Sequence, residues 1–93
     1  MKDIRNIPDA SEKLAAIEAN VIELVCETTG LSSDSAKKDS NLEDDLDYDD
    51  LDKVELSMAI EEEFEIEMPD EDLYKIKTVG DLIGYVKSKL GLV

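Results

Sequence analysis

The spacing of the aliphatic residues constrains this chain more than any other feature. Leu14, Ile17, Val21, Leu24 and Val25 recur at steps of three and four, as do Val79, Leu82, Ile83, Val86 and Leu90. A repeat near 3.6 brings such residues onto one stripe of a helix, so the spacing predicts a helix toward each end. Between them, the stretch from Asp50 to Phe64 places Leu51, Val54, Met58 and Ala59 at helical spacing, with Leu56, Ile60 and Phe64 widening the stripe. No period-two alternation lasts more than a few residues, so an all-α fold is expected.

The punctuation of these stripes sets the boundaries. Asp9, with Glu12 three residues on, forms a capping-box pattern for helix I, and Gly30 is its expected stop. Asp49 or Asp50 can cap helix II. Pro69 breaks the chain, after which Asp70 as N-cap and "DEDLYKI" leave room for a helix III of about two turns. Thr78 caps helix IV, whose basic end "KSK" complements the negative helix terminus. The polar stretch between Gly30 and Asp49 reads as a long loop, pinned by Leu31, Leu42 and Leu46, with a short turn around Ser35 to Lys37. Loops of this length are usually functional or pinned, so a cleft beneath it is a candidate ligand site. The chain is expected to form a single domain over residues 1–93, with 1–8 as a loose extension. Its core is expected to be aliphatic, given no Trp and one Phe.

Twenty-five acids against ten bases give a formal charge of −15. That balance argues against nucleic acid and anionic membrane surfaces as partners. It suits docking onto basic patches of other proteins, although plain solubility would also explain it. Cys26 is the only cysteine and there is no His, so neither an intrachain disulfide nor a His-based metal or nucleophile constellation can form. The start "MKDIRNIPDASEKL" lacks the apolar run of a signal peptide, and no eighteen apolar residues occur in a row. A cytoplasmic monomer without membrane insertion is expected.

The segment "LDYDDLDKVEL", residues 46–56, concentrates five acids at the entrance of helix II. Asp45, Asp47 and Asp49 alternate as calcium ligands do, but the sixth position of such a loop is Asp50 instead of Gly, and the twelfth is Leu56 instead of Glu. Hydrolysis by Asp49 and Asp50 fails on geometry, because neighbours at a helix start do not face each other across a substrate. No metal site and no enzymatic activity are expected. Capping explains either aspartate on structural grounds alone.

From about Val21 onward the chain resembles the acyl carrier protein family. The signature that opens the family's helix II, Leu-x-x-Asp-Ser-Leu-Asp-x-Val-Glu-Leu, stands here as Leu46, Asp49, Leu51, Asp52, Val54, Glu55 and Leu56. The Glu-Glu-Glu-Phe run is Glu61 to Phe64, followed by Met68, Pro69, Asp70 and "KIKTV" before helix IV. The resemblance implies an all-α four-helix bundle with a long loop between helices I and II and a short helix III. It implies a carrier of fatty acid or specialised lipid synthesis, holding acyl chains on 4′-phosphopantetheine esterified to the serine of Asp-Ser-Leu. Here that position is Asp50, and a carboxylate cannot replace the hydroxyl, so the cofactor is not expected on this chain. Neither Ser57 nor Ser40 matches the motif, and Asp47 stands where the family usually has Gly.

By the same resemblance, Asp49, Leu51, Asp52, Glu55, Met58, Glu61 and Glu62 would dock on basic patches of lipid- or fatty-acid-synthesis enzymes and of acyl or phosphopantetheinyl transferases. Val54, Leu56, Ala59, Ile60, Phe64, Ile76 and Leu82 would line the interior that shelters an acyl chain, or simply pack the core. Asp50 fits two accounts: a replacement introduced into an ordinary carrier, or the natural residue of an acidic interaction or regulatory protein that never carries an acyl group.

Overall fold

The structure, a computed structural model, describes residues 10–31, 34 and 36–91. Among them are four helices: α1 (Ala10–Thr29), α2 (Asp50–Phe64), α3 (Asp70–Leu73) and α4 (Val79–Lys89). The only strand-like pairing among the described residues is a single antiparallel bridge between Asn41 and Thr78. The architecture is the helical bundle expected from the spacing. The expected Asp9 cap, the extension at 1–8 and Ser35 lie outside the described residues.

α1 packs against both α2 and α4. It contributes Ile17, Val21 and Val25 to one core, which Leu56, Ile60 and Phe64 of α2 and Val79, Leu82, Ile83 and Val86 of α4 complete. Burying a side chain of this size stabilises the fold by about 1.5–3 kcal/mol. Leu73 from α3, with Met68 and Ile76 beside it, closes the end of the same core. Gly30 terminates α1 at φ +74, where the Leu31 N–H returns to the Cys26 carbonyl at 2.8 Å. That is the left-handed exit for which glycine carries no Cβ penalty.

The long loop is strapped down by its backbone. Leu42 N–H donates to the Lys77 carbonyl, and Val79 and Gly80 N–H donate to the carbonyls of Ser40 and Lys38, at 2.7–3.0 Å. A Cβ on Gly80 would stand 3.0 Å from the Lys38 oxygen, so this close approach favours glycine. Asn41 accepts the Glu43 and Asp44 N–H groups on its side-chain oxygen, and its own N–H donates to Asp45, which winds residues 41–46 into a compact turn. Asp47 then takes φ 57. Leu42 and Leu46 pin the loop as expected, but Leu31 is exposed. The third anchor is Tyr48, whose hydroxyl donates to the Val25 carbonyl, with Ala36 buried nearby in sequence. A turn at 37–40 is closed by Ser40 N–H to the Lys37 carbonyl, while the turn expected around 35–37 rests on Ser35, outside the described residues.

The bounds of α3 also differ from expectation. α3 is a single turn of four residues whose N-cap is Pro69, so Asp70 is its first residue and provides no side-chain cap. One turn depends on tertiary contacts for stability, and Leu73 packs into the core. Tyr85 supplies another contact, its hydroxyl lying 2.8 Å from an Asp72 carboxylate oxygen and 3.1 Å from the Glu67 carbonyl. α4 starts as expected, with reciprocal bonds between Thr78 and Asp81.

Candidate functional site

α2 carries apolar residues on two faces. The buried face is Lys53, Leu56, Ser57, Ile60 and Phe64, spaced three and four apart toward α1. Leu51, Val54 and Met58 repeat the same spacing on the far side and are 65%, 40% and 62% exposed. This corrects one expectation: Val54, expected to line the interior, points outward with Leu51 and Met58. An offset of two residues turns a side chain about 200° around a helix, which puts Val54 opposite Leu56. Ala59 is half-buried at the edge.

Lys53 is the lone base among the acids of α2. It is only 7% exposed, and its ammonium is paired with Glu43 of the long loop. The pairing holds the Glu43 carboxyl below its ordinary range. A single base within an acidic run gives no sequence signal for burial. What places it inward is its position one turn before Leu56 and Ser57.

The helix entrance is built by Asp49 and Asp52. Asp49 Oδ1 accepts the Asp52 N–H at 2.8 Å, and Asp52 Oδ2 accepts the Asp49 N–H at 3.2 Å. Asp49 is therefore the N-cap and Asp50 the first helical residue. Asp50 is exposed, and no donor among the described residues engages its carboxylate. Its charge still lies at the positive end of the helix, a favourable place worth about 0.3–1 kcal/mol.

Along the outward face, Glu55 and Glu62 are exposed beside Leu51 and Met58. Glu61, also expected to meet partners, is half-buried and accepts the Met68 N–H at 3.0 Å, which ties the end of α2 to the segment before α3. Ser57 is buried and its hydroxyl donates to the Val54 carbonyl at 2.7 Å, so it offers no accessible nucleophile. Ser40 accepts the Lys37 N–H in the loop turn. Leu56, Ile60, Phe64, Ile76 and Leu82 are all buried in the one core. The open cleft at the end of the long loop is lined by Asn41, Glu43, Asp44 and Lys77, and it lies at the loop's edge.

The family model described as "Phosphopantetheine attachment site" matches residues 19–86. The acyl carrier protein of Bdellovibrio bacteriovorus is 46% identical over 74 residues, covering 80% of this chain and 95% of that protein. The acyl carrier protein of Clostridium acetobutylicum is also 46% identical, over 68 residues, covering 73% of this chain and 88% of the relative. The chain belongs to the acyl carrier protein family. It is thus a carrier-family protein and not an enzyme, in a family that interacts with synthesis enzymes and transferases. No described helix is long and apolar enough to cross a membrane. Within this family the attached group is phosphopantetheine. Asp50, which the resemblance puts at the attachment position, is an exposed carboxylate at the entrance of α2 and offers no hydroxyl.

Proposed function

We propose that this chain keeps the docking half of carrier function and lacks the loading half. The single observation that carries this is Asp50, exposed as the first residue of α2, with its neighbours Asp49 and Asp52 already completing the cap. A phosphopantetheinyl transferase joins the arm to a hydroxyl through a phosphodiester. Attack by a carboxylate would give an acyl phosphate, a mixed anhydride that water cleaves. Asp50 therefore ends the loading reaction before it starts.

Docking rests on the outward face of α2. Leu51 and Met58 supply apolar contact, and Asp49, Asp52, Glu55 and Glu62 supply charge for Arg and Lys patches on enzymes of fatty acid or specialised lipid synthesis and on their transferases. Glu61 contributes its charge from the edge while holding Met68. Leu56, Ile60, Phe64, Ile76 and Leu82 act as core packing in a chain without cargo, joined at the edge by Ala59. The chain works in the cytoplasm as a monomer, consistent with one free buried cysteine and a self-repelling charge of −15.

Mass spectrometry after incubation with coenzyme A and a phosphopantetheinyl transferase tests the loading half. No adduct is expected on the chain as it stands, and an adduct is expected after Asp50→Ser. Modification of the unaltered chain overturns the reading. Binding to synthesis enzymes should weaken steeply with salt, and a salt-insensitive interaction contradicts the docking half.

A further inference from the structure

We infer that Asp50 makes this chain a standing competitor for enzymes that act on loaded carriers, and at the same time a poor ligand for the transferase that loads them. The inference rests on the docking reading above and adds a regulatory function to it.

The starting point is an acid without internal work. Asp49 and Asp52 satisfy each other's backbone donors at 2.8 and 3.2 Å, so the α2 cap is complete without Asp50. No donor among the described residues engages the Asp50 carboxylate, which is exposed at the position the resemblance gives for attachment. A phosphodiester on a serine oxygen places one negative charge and acceptor oxygens just beyond the β-carbon. An aspartate carboxylate places one negative charge and two acceptor oxygens there as well. The unloaded serine form has no charge at that point. Asp50 therefore resembles the loaded state at the attachment point while lacking the arm.

The surrounding surface supplies the rest of a ligand. Leu51, Val54 and Met58 form an exposed apolar seam opposite the core face, flanked by Glu55 and Glu62. Its complement is a protein surface with an apolar depression rimmed by Arg and Lys. A second copy of this chain is disfavoured as occupant, because each carries −15. An enzyme that takes groups from loaded carriers has to accommodate the phosphodiester anion, through Arg, Lys or backbone N–H donors. Those donors receive Asp50. The loading transferase instead brings the pyrophosphate of coenzyme A to a neutral hydroxyl, so a carboxylate there meets like charge. The same side chain thus selects between two classes of carrier-binding enzyme.

The test uses the acyl carrier protein of Clostridium acetobutylicum as substrate, acyl-loaded for an acyltransferase and unloaded for a phosphopantetheinyl transferase with coenzyme A. This chain and its Asp50→Asn variant are the inhibitors, with folding checked by circular dichroism. The chain is expected to compete with the loaded carrier for the acyltransferase, and Asp50→Asn to weaken that inhibition about tenfold, as expected for loss of a charge-assisted hydrogen bond. Against the transferase the order should reverse, Asp50→Asn inhibiting better. Equal inhibition by the two forms at the acyltransferase, or an unreversed order at the transferase, overturns the inference. A double variant, Leu51→Ser with Glu55→Gln, separates the two readings. If it abolishes acyltransferase binding while Asp50→Asn changes nothing, docking stands and competition falls. If the unaltered chain binds neither enzyme, both fall.

Discussion

At Asp47 the backbone turns left-handed, φ 57, to deliver the chain from the 41–46 turn to the α2 cap. Aspartate tolerates that region better than most residues, yet its Cβ is still crowded there. Asp47→Gly is expected to stabilise the fold by about 0.5–1 kcal/mol in urea unfolding, net of the greater freedom glycine gains when unfolded. A loss of stability would show that the Asp47 side chain contributes something the geometry does not reveal. Two residues on, Asp49→Ala removes the cap acceptor and leaves the Asp52 N–H unpartnered, an expected cost of about 1 kcal/mol. Tyr48→Phe removes the hydroxyl that reaches the Val25 carbonyl, an expected cost of about 0.5–1.5 kcal/mol for one hydrogen bond.

α2 is the element whose two faces make separable predictions. Ile60→Ala empties a fully buried site between helices and should cost about 2–5 kcal/mol by chemical denaturation. Met58→Ser, more than half exposed on the opposite side, should shift stability by under about 0.5 kcal/mol while weakening enzyme docking. A large stability loss from Met58→Ser would place that side chain in the core. This division also marks what the sequence conceals. The spacing of α1 and α4 was legible because each buries one stripe, and the Thr78 cap was legible because its partner Asp81 follows three residues later. In α2, apolar residues on both sides erase the contrast that distinguishes inside from outside, so Val54 reads as interior although it faces outward. Lys53 was hidden for a related reason: its burial depends on Glu43, ten residues away in a loop whose course no periodicity encodes. The sequence left either Asp49 or Asp50 as the cap of α2, and only the mutual bonds of Asp49 and Asp52 leave Asp50 outside it.

Across the whole molecule, a charge of −15 opposes compaction. Raising NaCl from about 0.01 to about 0.15 M shortens the screening length from about 30 to about 8 Å and should raise Tm, whereas a fall would mean that ion pairs outweigh repulsion. Specific pairs do oppose it: Glu18 of α1 meets Lys38 of the loop at 2.9 Å and Lys87 of α4 at 3.2 Å. Hydrogen bonds from those lysines hold Glu18 below its ordinary 4.5, and the Lys77 and Thr78 N–H groups hold Asp81 below its ordinary 3.8. Lowered carboxylates stabilise the fold above their unfolded values and lose that contribution as pH falls through the folded ones, so acid unfolding should set in below about pH 4.5. At the other end, burial pushes Tyr48 and Tyr85 up to about 12 from 10.0. Stability present below pH 10 should then decline as pH rises toward 12, and Tyr48→Phe should flatten that alkaline limb in thermal melts followed across pH. The lone thiol offers a different kind of readout. Cys26 sits on the buried face of α1, and burial raises its pKa. A maleimide can reach it only during moments when the helix lifts away, so the rate of alkylation in the native protein clocks how often this small bundle breathes.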